Sequence, residues 1–214
     1  MPALPRLVLA SASPARLKTL QAAGLRPEVI VSGVDEDAVE ADNIAELALK
    51  LAQLKAVAVA ANLPRALVIG CDSVLELDGE ILGKPVDEAD AIRRWQRMRG
   101  HAGVLHTGHC VIDTHREVWL GRTAATQVRF ATVSDEEIAA YVASGEPLQV
   151  AGAFTIDGLG SAYVSGISGD PHNVVGISVP LLRLMFDELG FVWHEFWTTS
   201  PSPSGRPSQA PSAH

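Results

Sequence analysis

Four short clusters in this chain carry residue types that can act on a charged ligand. Ser11, Ser13 and Arg16 stand where an apolar run gives way to Pro14, a residue suited to a first helical turn. Backbone N–H groups and hydroxyls at a helix start attract phosphate, and an arginine in the first turn adds a charged fork. Capping accounts for the serines equally well. Asp35-Glu36-Asp37 offers carboxylate oxygens to a divalent cation, or is a solvated acidic turn. Asp72 follows the apolar run 66–71 (ALVIGC), and in open α/β sheets ligands gather beyond the carboxyl ends of strands; a turn cap is the alternative. Gly83-Lys84-Pro85 holds a lysine between a flexible and a rigid residue, and turn chemistry explains the glycine and proline but not the lysine.

Lysine is scarce, with only Lys18, Lys50, Lys55 and Lys84 among 17 basic residues, so lysines in motif-like settings stand out. Against 25 acidic residues the net charge is −8, which repels the phosphates of polymeric nucleic acid but leaves room for a local cationic pocket. No G-x-x-x-x-G-K-[ST] loop and no G-x-G-x-x-G opening a helix is present, which excludes the usual nucleotide-binding loops. Alternation along a strand splits His101, His106, His109 and His115 between two faces, so they do not form a zinc set. Cys71 and Cys110 are far apart in sequence, and a reducing compartment is the simple reading. The opening stretch has one basic residue and an apolar run of four (Leu7, Val8, Leu9, Ala10), and no segment approaches the roughly 20 apolar residues of a membrane span. A cytoplasmic protein with no membrane partner is expected.

The elements that must position these residues alternate between strand and helix. Residues 6–10 predict a strand, 14–23 a helix closed by Gly24, and 27–31 a second strand. Ile44, Leu47, Ala48, Leu51, Leu54 and Ala58 recur at helical steps after Asn43, with Lys50 and Lys55 off that stripe. The 66–71 strand ends at Asp72, and residues 74–82 form a hairpin around Asp78-Gly79. A helix is predicted over 87–99, paired strands over 103–113 and 118–133, and a helix from the Ser134/Glu137 capping box to Ser144. The glycine-rich segment 151–170 reads as twisted strand and tight turns, and 178–189 as a closing helix. Residues 198–214, rich in Ser and Pro, predict a disordered tail. The fold class is α/β with a central mixed sheet.

In order along the chain, LVLASASPARLKTL, VDED, GCDSV, GEILGKP, HTG, YVASGEPLQVAGAFTIDGLG and NVVGIS resemble the Maf family of nucleoside triphosphate pyrophosphatases. The resemblance spans the chain up to the tail, and the fixed order makes it specific. It implies two lobes around a twisted mixed sheet with a nucleotide-binding cleft, a single domain over residues 1–197, and a divalent cation, Mg²⁺ or Mn²⁺. The implied reaction converts a nucleoside triphosphate to its monophosphate and pyrophosphate, with removal of noncanonical nucleotides as a role and a homodimer as an assembly the family allows. By motif, Asp72 falls on the catalytic aspartate, Arg16 and Lys84 on phosphate contacts, Lys55 on the lysine of the long helix, and Glu36 on an acid of the metal and water site. Asp72 then accepts the proton of the attacking water, alone or with Glu36 holding the metal. The same resemblance admits a nucleotide-binding regulator of septum formation. Retention of the charged positions favours the enzyme.

The departures fall on base specificity. Many relatives have arginine at the position of Ala15, Ser73 stands for a threonine, and Asp157 replaces the glutamine or glutamate that separates two substrate groups. A carboxylate offers only acceptors, which suits the two N–H donors of guanine better than the imide edge of uracil. Capping of the following glycine turn is the alternative for Asp157.

Overall fold

The first strand of the computed structural model, which describes residues 4–36 and 38–197, is β1 (Arg6–Ala10). It is followed by α1 (Pro14–Ala22), β2 (Glu28–Val29), α2 (Ile44–Ala60), β3 (Ala66–Leu77), β4 (Glu80–Leu82) and α3 (Glu88–Met98). Then come β5 (Ala102–Asp113), β6 (Val118–Phe130), α4 (Asp135–Ala143), β7 (Val164–Ser168), α5 (Pro171–Val175) and α6 (Val179–Glu188). Asp37 and the 198–214 segment expected as a tail lie outside the described residues. The strands form one open sheet in the order β2-β1-β3-β5-β6-β7, with β4 attached to β3. β1 pairs in parallel with β2 and β3, and the remaining pairs are antiparallel, so the sheet is mixed as predicted. Among the described residues no helix is long and apolar enough to cross a membrane.

Local signals start the helices where the residue types place them. Ser13, Asn43, Asp87 and Ser178 each accept a backbone N–H from the first turn of α1, α2, α3 and α6. Ser134 and Glu137 close a reciprocal capping box on α4. Each such cap contributes about 1 kcal/mol. Asp78 and Gly79, with φ of 53° and 81°, supply the two left-handed residues that the β3–β4 hairpin turn requires.

Three expectations change. β3 runs through Asp72 to Leu77, because its second half gains β5 on one edge and β4 on the other. The 27–31 strand shrinks to two residues, the only positions at which it pairs with β1. The one strand in 151–170 is β7, preceded by 3₁₀ turns at Ala151–Ala153 and Leu159–Tyr163, and at the first of these Gly152 and Ala153 take φ of 72° and 56°, which break any strand there.

The pleat of the sheet decides which side chains share a face. Asp72 and Gly70 of β3 lie opposite Gly108 and Cys110 of β5, and this face is covered by α2. Cys71 and Ser73 lie opposite His109 and Thr107 on the other face. There Leu9, Ile69 and Val111 pack with Leu20 of α1 and with Leu182, Met185 and Phe186 of α6. A third cluster fills the far end around Trp95, which is fully buried and meets Phe130, Tyr141 and Tyr163 edge-on. Its indole N–H is satisfied by the Ala153 carbonyl at 2.7 Å.

Candidate active site

The two edges of β3 are used differently. One pairs with β5 without a break from Leu67 to Glu76. The other is shared, with β1 ending at the Ala10–Gly70 pair and β4 beginning at the Leu82–Leu75 pair. Residues 71–74 therefore face no strand on that side. Asp72 lies beyond the carboxyl end of its parallel neighbour β1, rather than at the end of its own strand, and this is the kind of switch point where ligands bind in open sheets. The Ser11–Ser13 loop leaves β1 at this gap. β4 runs back along β3 and carries Gly83-Lys84-Pro85 toward the gap from the opposite side.

The helix α2 supplies the cation on one face of the gap. A methyl on Gly70 would stand 2.2 Å from the Ala52 carbonyl oxygen, and one on Gly108 would stand 2.1 Å from that of Ala48. Only glycine lets the helix lie directly on the sheet backbone at these two positions. That seating turns α2 so that Ala48, Leu51, Ala52, Lys55, Ala56 and Val59 are buried while Leu54 and Ala58 are exposed. Ala48 and Leu51 of the stripe read from periodicity stay on the packed face, but the face turns toward Ala52 and Ala56 beside Gly70 and takes Lys55 with it, contrary to that reading. Its ammonium sits 2.5 Å from Asp72 Oδ1 and 2.7 Å from Glu36 Oε1. Lys55 and Asp72 are buried, whereas the Glu36 side chain is 46% exposed and closes the group on the solvent side. An ammonium carries three N–H donors, so two carboxylates leave one free. A buried pair of this kind adds little net stability, because desolvation offsets the attraction. Chemistry explains it better than folding does.

On the other face Arg16 is held rigidly. Its Nε donates to the Gly176 carbonyl at 2.8 Å, and its two terminal nitrogens donate to Ser11 Oγ and Ser73 Oγ, each at 3.0 Å. A guanidinium has five N–H donors, and these three contacts leave one on each terminal nitrogen, the spacing of a fork for two phosphate oxygens. The direction of the next bonds follows. Thr107 Oγ1 donates to the Asn173 carbonyl at 3.3 Å, so Ser73 donates to Thr107 Oγ1 across 2.9 Å while accepting from Arg16. The Ser73 proton is committed inside the protein. Ser73, expected at base selection, is placed here as a brace for Arg16.

The structure brings together Ser11, Arg16, Glu36, Lys55, Asp72 and Ser73, and leaves three predicted residues at its margin. Lys84 and Asp157 are exposed in their loops, and Ala15 is half buried in the first turn of α1 with its carbonyl accepting from the Thr19 hydroxyl. Sequence reasoning missed Thr107, Asn173 and the Gly176 carbonyl. HTG and NVVGIS were visible as motifs, but no spacing within the chain tied them to Arg16, which lies 160 residues from Gly176.

Two buried groups beside the site are uncharged. Burial pushes the Cys71 thiol up to about 12, which removes it as a thiolate nucleophile. His109 donates from Nδ1 to the Thr107 carbonyl at 3.0 Å and accepts the Ser178 N–H on Nε2 at 2.8 Å, so a proton on Nε2 would break the start of α6. Burial, and then the Arg16 charge, hold it at about 4 against an ordinary 6.5. The unfolded chain therefore takes the proton first as pH falls. The stability this linkage contributes is complete above pH 6.5 and is lost as pH drops toward 4, by about 3 kcal/mol at ~1.4 kcal/mol per decade. Urea unfolding at pH 7 and pH 4.5 is expected to show a loss in the wild type that exceeds that of His109→Gln by about 2 kcal/mol; parallel curves would place the acid sensitivity elsewhere.

Comparison with known proteins points in one direction. A family model described as Maf-like protein matches residues 6–189. The chain is 58% identical to a nucleoside triphosphate pyrophosphatase of Salinispora tropica over 97% of each chain. It is 60% identical to one of Streptomyces avermitilis, over 90% of this chain and 95% of that one, and 49% identical to one of Trichormus variabilis, over 90% and 98%.

Proposed function

This chain belongs to the Maf family, and we propose that its cleft hydrolyses a nucleoside triphosphate to the monophosphate and pyrophosphate, the activity for which its relatives are named. The observation that carries this reading is the gap at residues 71–74, where two carboxylates and two fixed cations converge. Cations recognise the phosphates, and a carboxylate beside them serves to take a proton or to hold a metal ion.

The donor set also fits a divalent cation. Glu36 and Asp72 present hard oxygens to a single point, now taken by Lys55 Nζ. Among the described residues no group of three or more such side chains gathers, so phosphate oxygens of the substrate would complete the shell, as is usual for Mg²⁺. Glu36 and Asp72 would hold the ion, which when bound neutralises phosphate charge and makes a nearby water more acidic. In the reaction, Asp72 accepts the proton of a water that attacks the α-phosphorus. The bond from that phosphorus to the bridging oxygen breaks, and pyrophosphate leaves with the electron pair. With the ion at the point between Glu36 and Asp72, the Lys55 ammonium would move off it, and Lys55 and Arg16 hold non-bridging oxygens, with Lys84 on the pyrophosphate side and Asp157 toward the base.

Chromatography of the products of a nucleotide panel tests this. Monophosphate and pyrophosphate in equal amounts are expected, with turnover lost in EDTA and restored by Mg²⁺ or Mn²⁺. Diphosphate and orthophosphate as first products would mean attack at the γ-phosphorus and would overturn the assignment.

A further inference from the structure

One carboxylate outside the cleft accepts more hydrogen bonds than any single cap requires. Glu146 follows α4 in the turn opened by Gly145, whose φ is 76°. Its Oε1 accepts the Tyr141 hydroxyl at 2.9 Å, the Thr155 hydroxyl at 2.5 Å and the Gly160 N–H at 3.0 Å, and its Oε2 accepts the Leu159 N–H at 2.9 Å. Burial alone would raise its pKa, yet the donors from Thr155, Gly160, Leu159 and Tyr141 hold it below the ordinary glutamate value. The Tyr141 oxygen also takes the Thr155 N–H at 3.3 Å. A methyl on Gly158 would stand 2.4 Å from Oε2, so the loop closes tightly on the carboxylate.

Those donors bracket residues 155–160 at both ends, and Asp157 lies exposed between the anchored Thr155 and Leu159. The preceding residues are tied to the cleft itself. Gly152 N–H donates to the Gly83 carbonyl at 3.0 Å, next to Lys84, and the Ala153 carbonyl is held by Trp95. A loop with no regular ladder of its own thus has a fixed path, and only its apex side chain is free.

We propose that Glu146 is a positioning residue for base selection, its carboxylate clamping the 155–160 loop so that Asp157 meets the N–H edge of a guanine-type base. The proposal rests on the reading that this loop faces the base. An amide at 146 keeps the shape but turns two N–H groups toward a ring of donors, so at least one bond becomes a repulsion. The loop then samples several positions, and the substrate whose base needs a fixed acceptor loses most.

The test compares kcat and KM for GTP, UTP and dTTP in the wild type, Glu146→Gln, Tyr141→Phe and Asp157→Gln, with melting temperatures alongside. The expected result for Glu146→Gln is a shift of at least about fivefold in the guanine-to-uracil ratio of kcat/KM toward unity. It should arise in KM, with kcat for the preferred substrate within about threefold of wild type. Tyr141→Phe, which keeps the ring and removes one donor, shifts the ratio in the same direction by less and carries the test if the amide variant does not fold. A uniform loss for all three triphosphates in both variants would overturn the proposal and leave Glu146 a structural hub. An unmoved ratio in both, with Asp157→Gln still shifting it, would overturn the positioning role and keep the base reading. If none of the three variants moves the ratio, the base reading itself has failed and the proposal with it.

Discussion

Asp72→Asn is expected to lower kcat by about 10²- to 10⁴-fold at saturating substrate and divalent cation. The amide keeps the shape of the side chain and still accepts from Lys55, but it is too weak a base to take a proton from water and a poor ligand for a hard cation. Loss of cation binding would add to the effect. The structure also sets an expected cost in stability. Lys55 is buried against Asp72 at 2.5 Å, so the variant leaves an ammonium with one counter-ion, Glu36, which is half exposed. Removing one partner of a buried pair costs up to about 3–5 kcal/mol, and the retained Glu36 contact and amide oxygen offset part of it. A melting temperature lower by several degrees should therefore accompany the loss of turnover, with a fully folded circular dichroism spectrum at 25 °C. Turnover within about threefold of wild type would remove Asp72 from the reaction.

Arg16→Lys should lower kcat/KM by about 10²-fold despite conserving charge. The guanidinium reaches Gly176 O, Ser11 Oγ and Ser73 Oγ at once and keeps two N–H groups for phosphate. A lysine ammonium has three donors at one point and cannot span those partners and a phosphate together. The Ser73–Thr107 pair and the Gly176 carbonyl would lose their fixed donor, so the C-terminal end of α5 should loosen as well. Steady-state kinetics on the preferred triphosphate decide the matter. A variant within about threefold of wild type in kcat/KM would show that the fork is not what holds the phosphates.

Local chemistry was legible in the residues alone wherever it acts over a few positions. The caps at Ser13, Asn43 and Ser134 and the Asp78-Gly79 turn depend on hydrogen bonds within one turn of chain and stand where their residue types put them, and Asp87 and Ser178, read as first helical residues, cap α3 and α6. The order of strands and helices as far as α4 followed largely from periodicity, whereas α5 (Pro171–Val175) was not read. Arg16, Glu36 and Asp72 were identifiable as charge-bearing residues in motif contexts and Lys55 only through the family resemblance, and the fold brings all four to the gap in the β3 edge.

Tertiary structure decided the rest, because the deciding contacts join residues far apart in sequence. The buried face of α2 was read only in part, with Ala48 and Leu51 on it as expected and Leu54 and Ala58 off it. Close approach at Gly70 and Gly108 turned the face toward Ala52 and Ala56 and brought Lys55 inward, and no property of α2 by itself records where a glycine in another strand will lie. Asp72 was expected at the end of its strand, yet β3 continues and the gap beside it lies between the end of β1 and the end of β4. Ser73, which the resemblance assigned to base selection, braces Arg16 instead, since its hydroxyl accepts from Arg16 and donates to Thr107, whose own proton goes to the Asn173 carbonyl. Glu146 lay in a visible motif without a role, because its four donors come from α4 and from a loop whose path that carboxylate helps to hold. Short-range capping and periodicity are therefore written in single residues of this protein, whereas the partners of each buried polar group exist only once the sheet, α2 and the loops have closed on one another.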